Sequence, residues 1–443
     1  MFMKLFFLPV LFSIFALGLF AQKPDEVLAT ANGMSFTVKS LPEEAARLWN
    51  DQTAMTANIR TQLLAQMVTD QVLDAESKAR NLSTDKLLDE VKAKAPDPTA
   101  AEILKVYNMN KDKLGGETLV QVSPRIVKFL RHDIEEKAVQ EYVKTLETKY
   151  GVRYGRDVNA GDLKSIEMVV SINGKSVSAQ EFEESIKFSL SDIKGEIYDA
   201  IKNGLDDAIY SALLPVEAKS LDIEQGDLIA REITNKMRDF TPGEHDALQA
   251  ALERRLFAKY NVKYLLKEPE TLVRDVATGD DPAQGKAAAP VTVVIFSDFQ
   301  CSACSAAHPV LKAVLAEYGD QVRLIVRDYP VVQLHPNAFQ AALAANAAFA
   351  QGKFFEYTEI LYRNQDALDP VSLKKYAAAL GLNLKQFELD LASEKNAAEV
   401  RKDMADGRLY GVIGTPTIFV NGVKVRGVSA RHFREAIDKA LKK

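Results

Sequence analysis

Cys301 and Cys304 are the only cysteines in the 443-residue chain, and they follow closely on the apolar run Val291–Phe296. The run, Val-Thr-Val-Val-Ile-Phe, reads as a buried strand, and the segment from Cys301 to Tyr318 has helical spacing. The pair therefore sits where a strand gives way to a helix. At a helix N-terminus the unpaired backbone N–H groups and the positive end of the dipole favour an anion. A thiolate there is stabilised, and its pKa falls below the free value of about 8.5. The spacing places the second sulfur one helical turn on, near enough to close a disulfide. Cys301 is expected to be the exposed nucleophile and Cys304 the buried resolving cysteine. A bridge across so short a loop restricts the unfolded chain little, so a structural staple explains the pair poorly. A zinc site needs four ligands; His308 is a possible third, but there is no second Cys-x-x-Cys. His308 lies about two turns along the helix and reads as a surface or packing residue. No metal and no cofactor are expected.

Downstream, Val322–Arg327 is a second strand signal, and the pattern from His335 to about Arg408 is helical and Ala-rich. Thr417–Val420 and Val423–Val425 read as strands joined by the hairpin turn Asn421-Gly422, and a last helix runs from about Ala430 to Leu441. The order strand, helix, strand, helical insertion, hairpin and helix is that of a thioredoxin fold carrying an inserted helical domain. Gly414-Thr415-Pro416-Thr417 precedes the hairpin. A proline entering a strand behind a glycine-containing turn is a place for a cis bond. In this fold the loop faces the cysteines and leaves the backbone of Thr415 free to pair with an extended substrate. An ordinary trans proline at a strand edge is the alternative.

Three ordered motifs resemble the DsbA-like thioredoxin family. They are Phe296-Ser297-Asp298-Phe299-Gln300-Cys301-x-x-Cys304, Gln351-Gly352-Lys353-Phe354-Phe355-Glu356, and Gly414-Thr415-Pro416-Thr417-x-x-Val420-Asn421-Gly422. The lead-in Asp281-Pro282-x-x-Gly285-x-x-x-Ala289-Pro290-Val291-Thr292 fits as well, and the resemblance covers about Thr271–Lys443. It implies redox roles for Cys301 and Cys304 and the cis-proline role for Pro416. The chain departs from the family's strong oxidants in two places: Ala303 stands where they often carry His, and Ile295 where many carry a buried acid. Thr415 before the proline is also found in isomerase-type relatives. These departures leave the direction of electron flow open.

The rest of the chain divides into Gln22–Glu167 and Met168–Pro269, ahead of Glu270–Lys443, whose helical insertion is about 335–408. The first two parts are an imperfect repeat. Asn32-Gly33, Glu76-x-Lys78 and Leu82 recur as Asn173-Gly174, Glu217-x-Lys219 and Ile223 at one constant offset. Leu64, Val68, Val72 and Leu73 correspond to Leu205, Ile209, Leu213 and Leu214, the apolar face of a helix. Each copy begins with a short strand and ends similarly, at Lys149-Tyr150-Gly151-Val152 and Lys259-Tyr260-Asn261-Val262. This plan, with Ala100–Tyr107 and Asn110–Leu114, resembles the N-terminal domain of SurA and parvulin-type periplasmic chaperones. A helical spacer or oligomerisation region is the alternative.

Residues 1–21 have the layout of a secretory signal peptide: one early lysine, an apolar stretch, and Ala21 before the polar Gln22. An uncleaved anchor is the other reading. Net charge is −5 and no basic stripe stands out, which excludes nucleic acid as an expected partner. The expectation is a multidomain, extracytoplasmic thiol–disulfide oxidoreductase: helical repeats, then an α/β thioredoxin fold. Its substrates are exported or unfolded proteins bearing thiols or disulfides, handled by Cys301 and Cys304 with Thr415 and Pro416 as docking edge. A membrane protein is expected as redox partner. The competing class is a holdase chaperone or assembly scaffold in which the redox pair is secondary.

Overall fold

A computed structural model describes residues 25–82, 84–332 and 334–442. The expected export signal at residues 1–21 lies outside the described residues.

The duplicated plan is visible in the element order. The first copy holds β1 (Val27–Ala31), β2 (Met34–Thr37), α1 (Glu43–Arg80), α2 (Thr84–Ala93), α3 (Ala100–Asn110), α4 (Leu119–Lys149) and β3 (Arg153–Tyr154). The second holds β4 (Met168–Ile172), β5 (Lys175–Ser178), α5 (Ala179–Ser220), α6 (Gln225–Glu232), α7 (Pro242–Lys259) and β6 (Lys263–Tyr264). Both hairpin turns place their two central residues in the left-handed region: Asn32 at φ 48°, Gly33 at 76°, Asn173 at 51° and Gly174 at 76°. That is the I′ geometry, which matches the twist of the flanking strands and selects Asn-Gly.

The sheets do not follow the order of the chain. β1 lies between β2 and β6, and β4 lies between β3 and β5. Each opening hairpin thus takes its third strand from the end of the other copy. The Asn32 N–H donates to the Tyr260 carbonyl at 3.1 Å, and the Asn173 N–H to the Tyr150 carbonyl at 2.7 Å. A two-stranded hairpin is marginal alone, and a third strand over a helical core stabilises it. The described residues up to Met55 join Gly195–Pro269 in one compact unit, and Thr56–Lys194 join Glu270–Lys443 in the other.

In the second of these units Leu64, Val68, Val72 and Leu73 of α1 pack with Val169, Val170 and Phe182. Glu76 is buried beside them, accepting hydrogen bonds from the Lys149 ammonium and, at 2.8 Å, from the Tyr150 hydroxyl. In the first, Leu205, Ile209, Leu213 and Leu214 are buried, and Glu217 accepts in the same way from Lys259 and, at 2.8 Å, from Tyr260. The recurring Glu and the recurring Lys-Tyr are one motif, closed by the fold.

The C-terminal elements are β7 (Ala283–Gln284), β8 (Val291–Ser297), α8 (Ser302–Tyr318), β9 (Val322–Asp328), α9 (Ala338–Phe349), α10 (Phe354–Arg363), α11 (Pro370–Ala379), α12 (Leu384–Leu391), α13 (Glu394–Leu409), β10 (Thr417–Val420), β11 (Val423–Lys424) and α14 (Ala430–Leu441). The sheet order is β11-β10-β8-β9-β7, with β8 and β9 parallel and β10 antiparallel to β8. This is the expected thioredoxin fold, and α9–α13 are its inserted helical domain. β7 is an added edge strand inside the lead-in Asp281–Thr292. The lead-in also ties down locally: Arg274 is buried, donates to Asp192 of α5 at 2.6 Å and stacks over Phe188 at 4.6 Å. Lys424 reaches the same Asp192 at 3.0 Å.

Candidate active site

β8 and β9 are central, and a parallel pair covered on both faces reads as continuous Val and Ile. The chain leaves β8 at Ser297 and turns through Asp298–Cys301. Asp298 organises that turn. Its buried carboxylate accepts from the Gln300 N–H at 2.7 Å and from the Val331 N–H at 2.8 Å, and lies 2.7 Å from His335 Nδ1. The Asp298 carbonyl accepts from the Cys301 N–H at 3.1 Å. From α10's end, the Gln365 side chain donates to the carbonyls of Phe299 at 3.0 Å and Cys301 at 2.8 Å. Five polar groups thus fix the loop that presents the first sulfur.

Cys301 is the N-cap of α8, and its carbonyl accepts the first helical bond from the Ser305 N–H at 3.1 Å. Cys304 lies one turn on. β10 runs beside β8 with Thr417 opposite Phe296, which brings Thr415 and Pro416 to the same end of the sheet. The Thr417 hydroxyl donates to the Gly414 carbonyl at 2.7 Å and closes that loop. The Thr415–Pro416 bond is cis, as the sequence led us to expect. The Cys301 thiol meets the Thr415 carbonyl at 3.4 Å. That contact covers it: Cys301 is 8% exposed and Cys304 1%, so the first thiol is more enclosed than an open nucleophile would be.

The two thiols titrate far apart. A hydrogen bond from the Cys304 thiol, against the effect of burial, pulls Cys301 down to about 5; backbone N–H groups of Cys304 and Ala303 add to it. The backbone N–H groups at the helix N-terminus thus contribute after the Cys304 thiol, which has the largest lowering effect. Burial, and then the neighbouring Cys301, push Cys304 far up. The Ser297 hydroxyl works against that rise, and its Oγ lies 2.6 Å from the Tyr362 hydroxyl.

His308 takes a packing role. Its ring lies 4.7 Å from that of Tyr362, and its Nε2 is 3.0 Å from Glu359, which also pairs with Lys312. Behind α8 is a cavity of about 590 Å³, lined by Ile295, Phe299, His308, Leu311, Glu359 and Tyr362 among others. A second buried polar group lies around Arg327, which pairs with Asp403, with Asp406 at 2.7 Å and with Asp281 at 3.1 Å. Asp281, Glu399 and Asp403 present carboxylate oxygens within 4.8 Å of one another, a spacing a cation can bridge, although Arg327 already supplies positive charge to two of them. Ser297, Tyr362, Gln365 and His335 were given no role from sequence. Asp298, like Ser297, lies in the motif before Cys301, but its distant partners Val331 and His335 come from the single loop between β9 and α9.

Residues 277–439 match the family model described as thioredoxin. With the helical domain inserted between β9 and β10, this region has a thioredoxin fold. A sodium/proton antiporter, NhaA 3 of Salinispora tropica, is 41% identical over 147 residues, which are 33% of this chain and 22% of that protein. The chain thus spans less than a quarter of that relative's length. Among the described residues no helix is long and apolar enough to cross a membrane. A thioredoxin-like oxidoreductase from Silicibacter pomeroyi is 28% identical, with 39% of this chain and 99% of that one covered and a TM-score of 0.36. The α-DsbA1 of Wolbachia pipientis is 19% identical, covering 38% and 94%, with a TM-score of 0.35.

Proposed function

We propose that the C-terminal domain carries out dithiol–disulfide exchange on exported proteins, running in the oxidising direction. The observation that carries this reading is Cys301 at the N-cap of α8, its thiol drawn down to about 5. A thiolate so stabilised is a good leaving group and favours the reduced pair, which makes the disulfide an oxidant. In the forward reaction a substrate thiolate attacks Cys301 of the Cys301–Cys304 disulfide. The bond between the two cysteines breaks, and Cys304 leaves and takes up a proton. A second substrate thiolate then attacks the substrate sulfur of the mixed disulfide, and Cys301 leaves as thiolate. The substrate loses two electrons and the pair gains them. A membrane partner returns the pair to its disulfide. Thr415 and Pro416 flank Cys301 and form the edge on which an extended substrate lies. The test is trapping: Cys304→Ala incubated with an unfolded dithiol client and an oxidant should accumulate a mixed disulfide at Cys301, and Cys301→Ala should accumulate none. Equal behaviour of the two variants would reject the assignment. Export is tested by fractionating cells that express the full chain.

The helical repeats hold unfolded clients near Cys301. Met109 and Val120 are 73% and 83% exposed, and Phe129 is 58% exposed, on α3 and α4. Such side chains suit a surface that takes up unfolded chain. They also support the second reading, a holdase or scaffold. A variant lacking both cysteines separates the two readings. Undiminished suppression of aggregation, with no thiol defect in cells, favours the holdase.

A further inference from the structure

Each turn of the proposed cycle moves a proton on or off Cys304, and this thiol is 1% exposed. Ile295, two residues earlier in β8 than Ser297, carries no group that could take the proton. Cys304 and Tyr362 lie in one buried cluster, the Tyr362 hydroxyl on α10 is 2.6 Å from Oγ of Ser297 at the end of β8, and that serine hydroxyl works against burial to lower the Cys304 pKa. Ser297 is 2% exposed and Tyr362 9%, yet Tyr362 lines the cavity of about 590 Å³ behind α8. We propose that Ser297 and Tyr362 are positioning residues that form a proton path between Cys304 and solvent in that cavity. This rests on the redox reading above and names how its buried thiol is served.

The step balances without a further reactant. When Cys304 resolves a mixed disulfide, its thiol proton passes to Ser297 Oγ, the Ser297 proton passes to the Tyr362 oxygen, and the Tyr362 proton passes to water. The Cys304 thiolate then attacks Cys301, the bond to the substrate sulfur breaks, and the substrate leaves as a thiolate. In the oxidising half-cycle the same hops run inward and protonate the departing Cys304. Neither hydroxyl stores charge. Burial, reinforced by the negative charge of Cys304, holds the Tyr362 hydroxyl well above its usual range, so it can only accept one proton as it gives up another. The charged groups that face Tyr362 are Asp298 after β8, Asp328 at the end of β9, His308 of α8, and Glu359 of its own helix through His308. Ser305 binds its backbone carbonyl at 3.0 Å and holds the ring's helix in place.

The experiment mixes the reduced full-length protein rapidly with a disulfide-bonded peptide. It separates formation of the mixed disulfide from release of the second peptide thiol, across pH and in heavy water. Tyr362→Phe keeps the ring and should slow resolution by about ten-fold or more, as expected for loss of a proton-transfer group. Its pH profile should move upward, while Cys301 alkylation stays within about two-fold of the parent. Ser297→Ala should do the same, and the double variant should lose no more than either single one, because the two act in series. Unchanged resolution in Tyr362→Phe, additive losses in the double variant, or a parallel fall in Cys301 alkylation would each overturn the path. If the parent forms no mixed disulfide at all, the redox reading falls first and the path falls with it.

Discussion

The helical repeats and the thioredoxin domain both bury ionisable side chains, and they treat them in opposite ways. In the repeats the buried Glu76 receives an ammonium and a phenol, and Glu217 receives the same pair. Lys149 first, then Tyr150, hold Glu76 below the usual carboxylate range; Glu217 also lies below it, the bonds from Lys259 and Tyr260 outweighing its burial. These carboxylates stay charged, matched and inert. In the thioredoxin domain the matching is incomplete. Burial and the nearby Asp403 raise Asp281 to about 7, and burial, then Asp403, lifts Asp328 well above the usual range. Cys301 and Cys304 are driven apart. A polar group repeated with its partners serves the fold. One whose environment pushes it off its ordinary pKa, and which has no counterpart elsewhere in the chain, is where chemistry is to be sought.

The largest effects should fall on the cysteines. Cys301 should alkylate with a midpoint near about 5, and Cys304 in the native dithiol should react at least about a hundred-fold more slowly at neutral pH. A common rate for both would erase the division of labour. The lowered Cys301 value also makes a stability statement. A folded pKa of about 5, below the free value of about 8.5, contributes stability that is fully present above the free value and is lost as the pH falls through about 5. The reduced protein should therefore gain on the oxidised one in unfolding midpoint as the pH rises across that window. A gap that stays flat would mean that the thiolate is not held as the geometry implies.

The carboxylates allow a finer test, performed on the oxidised protein so that no thiol titrates. Asp281 has a raised folded value, so its contribution is fully present below about 3.8 and is lost as the pH rises through about 7. Glu76 has a lowered one, so its contribution is present above 4.5 and is lost as the pH falls through its folded value. Between pH 7 and 4, hydrogen-exchange protection around β9 should rise as Asp281 takes up its proton. Below 4.5, protection around the end of α1 should fall. Neither group alone can give a slope steeper than about 1.4 kcal/mol per pH unit. Asp281→Asn should flatten the first trend and leave the second. If both regions moved together with pH, the contrast between them would be wrong.

Much of this arrangement is legible before folding. The run Val291–Phe296, the Ala-rich insertion and the hairpin at Asn421-Gly422 carry their own periodicity and turn chemistry, and they appear where that chemistry places them. The repeat could be read because its anchors are strong local signals. Its strand exchange could not. β3 and β6 are two residues long, too short to show alternation, and nothing local says which hairpin they join. β7 is hidden for the same reason. The surroundings of the cysteines were legible only in part. Ser297, Tyr362 and Gln365 meet across more than sixty residues of chain, and a hydrogen bond between distant loops leaves no pattern in either. The Lys-Tyr that closes each repeat was visible as a recurrence. Its meaning came only with the glutamate it reaches.

The smallest expected effect tests the duplication itself. Gly33 and Gly174 both sit at φ 76°, and a Cβ built on either meets nothing within 4 Å. Substituting alanine there should therefore cost only the left-handed backbone, about 1–2 kcal/mol, and should cost the same at both positions. Gly422 occupies the same place in the third Asn-Gly turn, at φ 78°, but there a Cβ would lie 2.1 Å from the Arg274 carbonyl oxygen. That oxygen belongs to the backbone of the lead-in, whose N–H in turn donates to the Gly422 carbonyl at 2.8 Å, so it cannot swing away without breaking the bond. Gly422→Ala should thus cost clearly more than either repeat variant. Chemical denaturation followed by hydrogen exchange at each hairpin measures all three. Equal losses at Gly33 and Gly174, with a larger one at Gly422, would support two equivalent turns in the repeats and a clamped one in the thioredoxin domain. Unequal losses at the first two would show that the copies have diverged in their packing even where their sequences and dihedral angles still agree.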